Sequence, residues 1–283
     1  MDKKFLRNEE YMKGYFLMKI CVCIKQVPDS NKVEVDPVTG TIRRDSADSK
    51  MNPYDLYALE TAFRLKEEKG GEVTVITMGP PKAAEIIREA YSMGADRGVL
   101  LTDRRFAGAD VLATSKTISQ GIAAAGDFDL IICGKQTTDG DTAQVGAEVS
   151  EYMGLPCIAG VSEIMAVGDD NITVRMDMGD SYEVARVSFP GLICVDKDIF
   201  QPRLPSYVRK KATADREITT LTLDSFDDMD AKHYGLAASP TQVRRIFPPE
   251  DNSERVMWEG GASELSEKLF DKLVELKYVG GER

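Results

Sequence analysis

The chain has 283 residues, of which 42% are hydrophobic and 29% charged, a composition typical of globular proteins that fold in water. A formal net charge of -11 argues against a nucleic-acid-binding surface, because phosphate backbones are bound by clustered lysine and arginine side chains. No apolar run approaches the roughly 20 residues that a membrane helix needs, and five scattered cysteines do not form the pattern of a disulfide framework. We therefore expect a cytoplasmic protein with reduced cysteines, no nucleic-acid partner and no membrane span.

The first 17 residues mix both charges with scattered aromatic side chains and lack the continuous apolar segment of a signal peptide. We interpret them as a loose tail or an upstream start, without an assigned function. A strand is expected to begin directly after them, at Met18.

Apolar runs alternate with helical patterns in a regular order up to residue 154. The predicted strands are 18–27, 72–79, 97–103 and 128–134. The predicted helices are 52–71, 80–95, 108–126 and 142–154. Strands that alternate with helices pair in parallel through right-handed crossovers. The pattern therefore predicts an α/β fold with a doubly wound, mostly parallel sheet.

The pattern changes after about residue 160. Residues 171–189 form two alternating runs around "MGDS", which predicts a β-hairpin extension of a first domain that spans residues 18–195. Residues 196–211 contain two prolines and little periodicity, which is typical of an exposed extended arm. Residues 212–283 continue as a C-terminal arm and end in an amphipathic helix, on which the following leucines share one face: Leu265, Leu269, Leu273 and Leu276.

Two cysteines, Cys21 and Cys23, lie inside the first predicted strand. Alternation along the strand is expected to send their thiols to opposite faces of the sheet. No histidine or cysteine follows at ligand spacing, so we expect no metal site there.

The segment "GKQTTDGDTAQVG", residues 134–146, follows the fourth strand and opens a helix. Ligands of doubly wound sheets lie beyond the carboxyl ends of the strands, and N–H groups at a helix start bind phosphate without a cation. We expect Thr142 and Gln144 to add side-chain donors. Asp139 and Asp141 are expected to act as caps or to bind ribose hydroxyls or backbone N–H groups, with their carboxylates turned from the phosphate. The alternative is an Asp-capped turn without a ligand.

Two further segments lie at the same edge of the predicted sheet. In "MNPYD", Asn52 and Asp55 either hold an adenine or ribose or start a helix with proline at its first position. In "TDRRFAGAD", residues 102–110, Phe106 either packs on a flat ring, with Arg105 near an anionic reduced flavin, or points inward from a surface loop.

Common catalytic and phosphate motifs are absent from the sequence. There is no GxxxxGK[ST] loop, no GxGxxG after the first strand, no HExxH and no GxSxG, and the single histidine, His233, lies in a polar segment. We expect no phosphoryl transfer and no catalytic side chain, so any chemistry requires a bound cofactor.

Five segments together resemble the beta subunit of electron transfer flavoprotein, in the order and at the spacing of that family. They are "CVCIKQVPD", "MNPYDLYALETAFRLKE", "MGADRGVLLTD", "GKQTTDGDTAQVG" and "DKDIFQPRLPSY". The resemblance covers nearly all of residues 18–250, with Met178 and Ala185 as departures in the hairpin. It implies a Rossmann-like fold of the adenine-nucleotide alpha-hydrolase-like type.

In the housekeeping form of the family, this subunit binds AMP, and the single FAD belongs mainly to the alpha subunit. The resemblance carries the AMP-binding positions to Cys23, Asn52, Tyr54, Asp55, Met78, Gly134, Asp139, Asp141, Thr142, Ala143, Gln144 and Val145.

In the electron-bifurcating form, the same cleft holds a second FAD whose ADP part takes the AMP position. "TDRRFAGADVLATS" is similar to that form's "DRxFxGADTxATS", with Val111 in place of threonine, and "SPTQVRRIFPPE" resembles its extended tail. The resemblance places the flavin end at Arg105, Phe106, Gly108, Ala109, Asp110 and Thr114.

The bifurcating resemblance implies that hydride from NADH reaches this FAD. One electron would pass to ferredoxin or flavodoxin, and one through the alpha-subunit FAD to a partner dehydrogenase. Residues 196–211 resemble the family's recognition loop in a shorter form, with Leu204 at the anchoring leucine and Tyr207 beside it.

Three other interpretations stay open. The first is the housekeeping form with AMP, and the second is a nucleotide sensor without redox activity. The third is an ATP-handling enzyme, which predicts a glycine-rich loop after the first strand, whereas "KQVPDSN" has no glycine.

Overall fold

The computed structural model describes residues 17–29, 49–243 and 255–280. The chain divides into two compact units, residues 1–245 and 246–283. Of the predicted N-terminal tail, only Leu17 is among the described residues, and most of the predicted extended stretch at 239–250 lies outside them.

The described strands and helices follow the predicted alternation in the first half of the chain. The strands are β1 (Met18–Cys23), β2 (Gln26–Pro28), β3 (Ser49–Met51), β4 (Gly71–Met78), β5 (Arg97–Leu101), β6 (Leu130–Gly134), β7 (Cys157–Val167), β8 (Asn171–Asp177), β9 (Tyr182–Ser188), β10 (Gly191–Val195) and β11 (Thr219–Leu221). The helices are α1 (Pro53–Lys69), α2 (Ala84–Met93), α3 (Val111–Ala125), α4 (Val145–Met153), α5 (Tyr207–Ala212) and α6 (Ala262–Glu275).

One large sheet organises the first unit. Among the described residues its strand order is β11-β5-β4-β1-β6-β10-β7-β8-β9, and β2 pairs with β3 in a separate antiparallel ribbon. All neighbours from β11 to β7 are parallel, and β8 and β9 continue the edge as an antiparallel hairpin. The predicted α/β fold with a doubly wound, mostly parallel sheet and a hairpin extension is therefore confirmed.

The two faces of the sheet carry separate cores. Leu59 and Phe63 of α1 and Ile87 of α2 pack on one face, whereas Ile122 of α3 and Val149 of α4 pack on the other. Helices on both faces explain why the central strands are almost continuous runs of apolar residues. The boundaries of α1 follow its sequence, because Pro53 stands at its first position and Gly70 ends it with a φ of 76°.

The strand order reverses beside β1. From β1 the chain moves outward through β4 to β5, and then returns to place β6 on the opposite side of β1. A reversal of this kind opens a crevice beyond the carboxyl ends of the two strands. The crevice lies between the residues that follow β1 and those that follow β6.

Several predicted boundaries were wrong. The first strand ends at Cys23 rather than at residue 27, and α4 begins at Val145 rather than at residue 142. Strands β3 and β7 were not predicted, and neither was β11, which pairs with β5. Parallel neighbours far apart in sequence leave no local signal of their pairing.

The second unit is described from residue 255 to residue 280. It contains α6, which confirms the predicted helix at the C-terminal end. Two leucines of the predicted apolar face, Leu269 and Leu276, are 51% and 52% exposed, and the other two, Leu265 and Leu273, are half-buried. Among the helices of the described residues, none is both long and apolar enough to cross a lipid bilayer.

Candidate nucleotide-binding site

Four loops follow neighbouring strands along the carboxyl edge of the sheet. In spatial order they come after β5, β4, β1 and β6. Backbone hydrogen bonds extend the pairing past the strand ends, from Gly79 N to Leu101 O (3.0 Å) and from Ile24 N to Ile76 O (2.9 Å). The segments singled out in the sequence therefore lie side by side along one edge.

The start of α1 is tied to the loop after β6 by a buried polar cluster. Asn52 and Asp55 are 0% and 4% exposed. The Asn52 amide donates to Asp55 Oδ1 (2.8 Å) and to Gln136 O (2.9 Å), and its oxygen accepts from Thr138 N (3.2 Å). The second carboxylate oxygen of Asp55 accepts from Lys25 N (2.7 Å). Both side chains thus join three chain segments, and their polar atoms are engaged within the protein.

The carboxyl group of Asp55 has a raised pKa. Burial raises the pKa of its carboxyl group to about 7, although the hydrogen bonds from Asn52 and Lys25 oppose this shift. Gly134 permits the close packing around it, because a Cβ at that position would lie 2.6 Å from Asp55 Oδ1 and 2.7 Å from the Tyr54 carbonyl carbon. The end of β6 can approach α1 this closely only with glycine at residue 134.

The acidic side chains of the loop after β6 are held by neighbouring residues. Asp139 Oδ1 accepts from Lys25 Nζ (2.7 Å), and Asp141 Oδ1 accepts from Gln136 Nε2. Burial favours the neutral form of Asp139, but the hydrogen bond from Lys25, its positive charge and a hydrogen bond with Thr137 together keep the pKa of this carboxyl below its usual value. Neither aspartate caps α4.

The first turn of α4 has no side-chain cap. Its N-cap residue, Gln144, makes no capping hydrogen bond, and residues 142–144 are exposed. The first N–H groups of an α-helix have no intrahelical acceptor and carry a partial positive charge. Asp141 and Ala143 adopt left-handed backbone conformations, with φ of 53° and 56°, as the loop turns into the helix. The start of α4 is therefore open to an anion.

Cysteines line the sheet beneath this helix start. Cys133 of β6 is in register with Cys23 of β1 and with Cys194 of β10. The hydrogen bond to Cys133 and burial hold the pKa of Cys194 well above its usual range. Gly146 of α4 lies directly on this row, so that a methyl group there would overlap Cys194 Sγ. Within the described ranges, no group of three or more His, Cys, Asp and Glu side chains could hold a metal ion.

The expectation that Cys21 and Cys23 face opposite sides was wrong. Residues two apart on a strand share a face, and both cysteines lie on the side covered by α3 and α4. Cys21 is fully buried, while Cys23 and Met78 are half-buried at the ends of their strands.

The loop after β5 is packed against a later part of the chain. Phe106 is 3% exposed, and its ring lies 5.5 Å from that of Phe226 and 5.8 Å from that of Tyr234, centroid to centroid. Arg105 pairs with Asp103 (2.6 Å) and with Asp224 (3.0 Å). The structure thus places Phe106 as in the alternative interpretation, with its ring pointing inward.

Both carboxylate oxygens of Asp110 accept hydrogen bonds, one from the first turn of α3 and the other from Thr241. It caps α3 by accepting from Ala113 N (3.1 Å), and its other oxygen accepts from Thr241 N (3.0 Å) and Thr241 Oγ1 (2.8 Å). Gly108 has a φ of 73° and faces Leu236, which a Cβ would approach to 3.2 Å. Of the expected flavin-end residues, Gly108 is exposed, while Ala109 and Thr114 are half-buried.

The residues that hold this loop were not predicted from the sequence; they are Asp224, Phe226, Tyr234, Ser239 and Thr241. Each lies more than 100 residues from its partner, as in the hydrogen bond from Asp110 N to Ser239 Oγ (2.8 Å). Only the resemblance of residues 239–250 to a family tail pointed to this part of the chain.

The crevice is long enough for an extended ligand. From the loop after β6 to the loop after β5 the edge spans three strand spacings, which is about 14 Å. A mononucleotide at α4 covers only the first part of this distance, whereas a dinucleotide can extend along it. The geometry therefore admits both of the ligands considered from the sequence.

The predicted arm at 196–211 is anchored at several points but carries exposed apolar side chains. Leu204 is 86% exposed and Tyr207 is 71% exposed. The prediction of an extended arm was wrong for residues 207–212, which form α5.

Comparison with known proteins agrees with this architecture. Residues 39–225 match the family described as "Electron transfer flavoprotein domain". The chain is 41% identical over 262 residues to the electron transfer flavoprotein subunit beta of Clostridium acetobutylicum, an alignment that covers 93% of this chain and 100% of that protein.

Two other relatives are named as parts of larger assemblies. The Caffeyl-CoA reductase-Etf complex subunit CarD of Acetobacterium woodii is 41% identical, with 91% of this chain and 98% of that protein covered. The acryloyl-CoA reductase electron transfer subunit gamma of Anaerotignum propionicum is 39% identical, also with 91% and 98% covered. The chain belongs to the electron transfer flavoprotein family, in its beta-subunit group.

Proposed function

We propose that this chain is the beta subunit of a heterodimeric, electron-bifurcating flavoprotein and binds FAD along the crevice. The ADP part lies at the start of α4, and the flavin lies toward the loop after β5. NADH is the electron donor, and the acceptors are ferredoxin or flavodoxin and a partner dehydrogenase. The complex is cytoplasmic and forms with the alpha subunit.

The observation that carries this proposal is the uncapped start of α4 at the strand-order reversal. Its free N–H groups fit a pyrophosphate that is bound and never cleaved. The carboxylates of Asp139 and Asp141, which would repel such an anion, are instead held by Lys25 and Gln136. The edge, which spans three strand spacings or about 14 Å, is long enough for a dinucleotide.

The names of two relatives support a CoA-linked protein as one of the electron acceptors. They are subunits of a caffeyl-CoA reductase complex and of an acryloyl-CoA reductase, both of which act on CoA thioesters. We therefore propose a CoA-linked dehydrogenase or reductase as the protein that receives electrons from this complex.

A bound flavin would supply the electron-transfer chemistry, and the chain's own residues would bind and orient it. The first turn of α4 would hold phosphate oxygens, and Cys23, Tyr54 and Met78 would border the crevice between the two ends. Asn52 and Asp55 would act through the loop that they hold in place. Arg105 would contribute positive charge at the flavin end, reduced by its pairing with Asp103 and Asp224.

A second candidate is the housekeeping form, with AMP in this crevice and one FAD held mainly by the alpha subunit. The packing of the loop after β5 favours it, because the Phe106 ring is buried and Arg105 is paired. In that case only the α4 end of the crevice would be filled.

Cofactor counting separates the two candidates. The chain would be co-expressed with its alpha subunit, and the nucleotides released from the purified heterodimer would be quantified by chromatography. Two FAD per heterodimer, with NADH-dependent flavin bleaching, is the expected result. One FAD with one AMP would establish the second candidate instead. A heterodimer without any adenine nucleotide in the beta chain would contradict both.

A further inference from the structure

Two carboxylates of unlike exposure hold the Arg105 guanidinium. Arg105 Nε and Nη2 donate to the two oxygens of Asp103 (2.9 and 2.6 Å), whereas Nη1 donates to Asp224 Oδ1 (3.0 Å). The Asp103 side chain is 11% exposed, and that of Asp224 is 72% exposed. A bidentate pair with a sheltered carboxylate is more persistent than a single bond to an exposed one. Asp103 is therefore the fixed partner of Arg105, and Asp224 is the exchangeable one.

Asp103 keeps its negative charge at neutral pH. Besides the Arg105 side chain, its oxygens accept from Arg105 N (2.9 Å) and from Leu223 N (3.2 Å). The hydrogen bonds from the Arg105 side chain, together with these backbone bonds, lower the pKa of the Asp103 carboxyl group to about 2, although burial opposes them. One carboxylate thus already neutralises the single charge of Arg105 before Asp224 is counted.

The backbone around Asp224 is held independently of Arg105. The strand that precedes it, β11, pairs with β5. Thr222 N donates to Ser225 Oγ (3.2 Å), and Leu223, which lies between Thr222 and Asp224, is fully buried. The Asp224 carboxylate is therefore kept near the loop after β5 by its neighbours in the chain, whatever group Nη1 of Arg105 is bound to.

The charges at this end of the crevice do not balance. Asp103, Asp224 and Arg105 together carry two negative charges and one positive charge. Arg104 belongs to the same loop, but it is exposed, so solvent and salt screen its charge. The Arg105 side chain is 37% exposed, which leaves it accessible to a ligand. Without the Asp224 charge, the Asp103–Arg105 pair would be neutral and Nη1 would be free to donate.

We propose that Asp224 is a positioning residue that holds Nη1 of Arg105 and thereby lowers the affinity of this end of the crevice for a reduced, anionic flavin relative to an oxidised, neutral one. While it is bound to Asp224, Nη1 does not donate to the ring, and the second carboxylate repels negative charge there. A flavin whose reduced form is held weakly has a low reduction potential, which suits the delivery of an electron to ferredoxin or flavodoxin. The inference rests on the proposed function, because it concerns the FAD placed at this end.

The test is the reduction potential of the flavins in the heterodimer purified with its alpha subunit. Asp224→Asn removes the charge and keeps the shape of the side chain. For one flavin, it should raise the affinity of the reduced form about 3- to 10-fold relative to the oxidised form, measured as a more positive midpoint potential in a spectroelectrochemical titration. The shift should shrink at high ionic strength, because Asp224 is exposed. The FAD content of the oxidised protein should stay the same.

Two further variants separate charge from structure. Asp227→Asn is the matched control, since Asp227 is exposed, lies in the same segment and forms no ion pair within the described ranges; its flavin potentials should equal those of the unaltered protein. Asp224→Glu keeps the negative charge and should keep the low potential. All three variants should be nearly as stable as the unaltered protein, because exposed ion pairs contribute little to the free energy of unfolding.

The outcomes separate this inference from the proposed function. Two FAD per heterodimer, with equal potentials in the Asp224→Asn and Asp227→Asn proteins, would overturn the inference and leave the proposed function intact. In an Arg105→Gln protein, Asp224→Asn should shift the potential little, since no guanidinium is released. A shift of equal size there would show that Asp224 does not act through Arg105, and would overturn the inference as well. One FAD with one AMP would remove the proposed function and this inference together.

Discussion

Helices α3 and α4 begin at the same edge of the sheet, three strand spacings apart, but only the first turn of α3 is capped by a side chain. Asp110 caps α3 and also accepts a hydrogen bond from Thr241. The N–H groups at the start of α3 are therefore partly satisfied by the protein. The start of α4 has no such cap and is exposed. An aspartate in the preceding loop caps α3, whereas the aspartates in the loop before α4 are bound by other side chains. The proposed phosphate binding would thus depend on where the carboxylates are held, more than on how many there are.

The two ends of the crevice also differ in what fills them. At α4 residues 142–144 are exposed, whereas the loop after β5 is held by residues 223–241, which bury the Phe106 ring and bind the Asp110 carboxylate. The α4 end is therefore preformed for a ligand. At the loop after β5, a ligand would meet mainly backbone groups and the positive charge of Arg105. Substitutions at the two ends should therefore have different consequences.

Phe106→Ala should lower the free energy of unfolding by about 3–5 kcal/mol, because it removes a buried aromatic ring from a packed cluster. Phe226→Ala is the matched control, since Phe226 stacks on Phe106 and is not among the expected flavin contacts. Chemical denaturation and FAD content would be measured for both variants. If Phe106 acts through packing alone, both variants lose FAD to the same extent. A loss of FAD confined to Phe106→Ala would show a direct flavin contact.

Asp55 should make stability depend on pH. Its pKa is about 7 in the folded protein, above the ordinary value of 3.8 in the unfolded chain, so the folded state binds the extra proton. This stabilisation is complete below about pH 4 and is lost as the pH rises toward 7. Relative to Asp55→Asn, the unaltered protein should lose on the order of 3 kcal/mol across this range. Urea denaturation at several pH values measures it, and parallel pH profiles of the two proteins would refute the raised pKa.

Gly146→Ala should destabilise the protein by about 2 kcal/mol and weaken nucleotide binding, because the added methyl group overlaps Cys194 Sγ. Cys194→Ala removes that sulfur, so the double variant should recover most of both losses. Thermal denaturation and FAD content are the measurements. Additive losses in the double variant would mean that Gly146 is required for another reason.

Gln144→Asp would convert α4 to the arrangement seen at α3. The new carboxylate should cap the first turn and stabilise the protein by about 0.5–1 kcal/mol. It should also weaken nucleotide binding, because it occupies the N–H groups and repels phosphate. Titration of the heterodimer with ADP checks this expectation. Unchanged affinity would place the phosphate elsewhere.

The order of the main-sheet strands and of the helices up to residue 154 could be predicted because each of them has a local signal. Pro53 and Gly70 mark both ends of α1, and apolar runs mark β4, β5 and β6. Strand β11 could not be predicted, since Thr219–Leu221 is three residues long and owes its conformation to pairing with β5. Local propensity is weak for so short a segment.

The candidate site was only partly accessible to sequence reasoning. The loop after β6 and the helix start behind it were found from their position after a strand. The internal roles of Asn52 and Asp55 were not, because their partners Lys25, Gln136 and Thr138 belong to other loops. The burial of Phe106 depends in the same way on Phe226 and Tyr234, more than 100 residues away along the chain.

The thiols beneath α4 also give the protein a built-in vibrational probe. S–H stretching bands fall in a region of the infrared spectrum where other protein groups hardly absorb. Cys133 and Cys194 are paired on adjacent strands, and Gly146 at the start of α4 packs against both. An anion that settles on this helix start should therefore shift their bands, so that ligand arrival can be followed in the unlabelled protein.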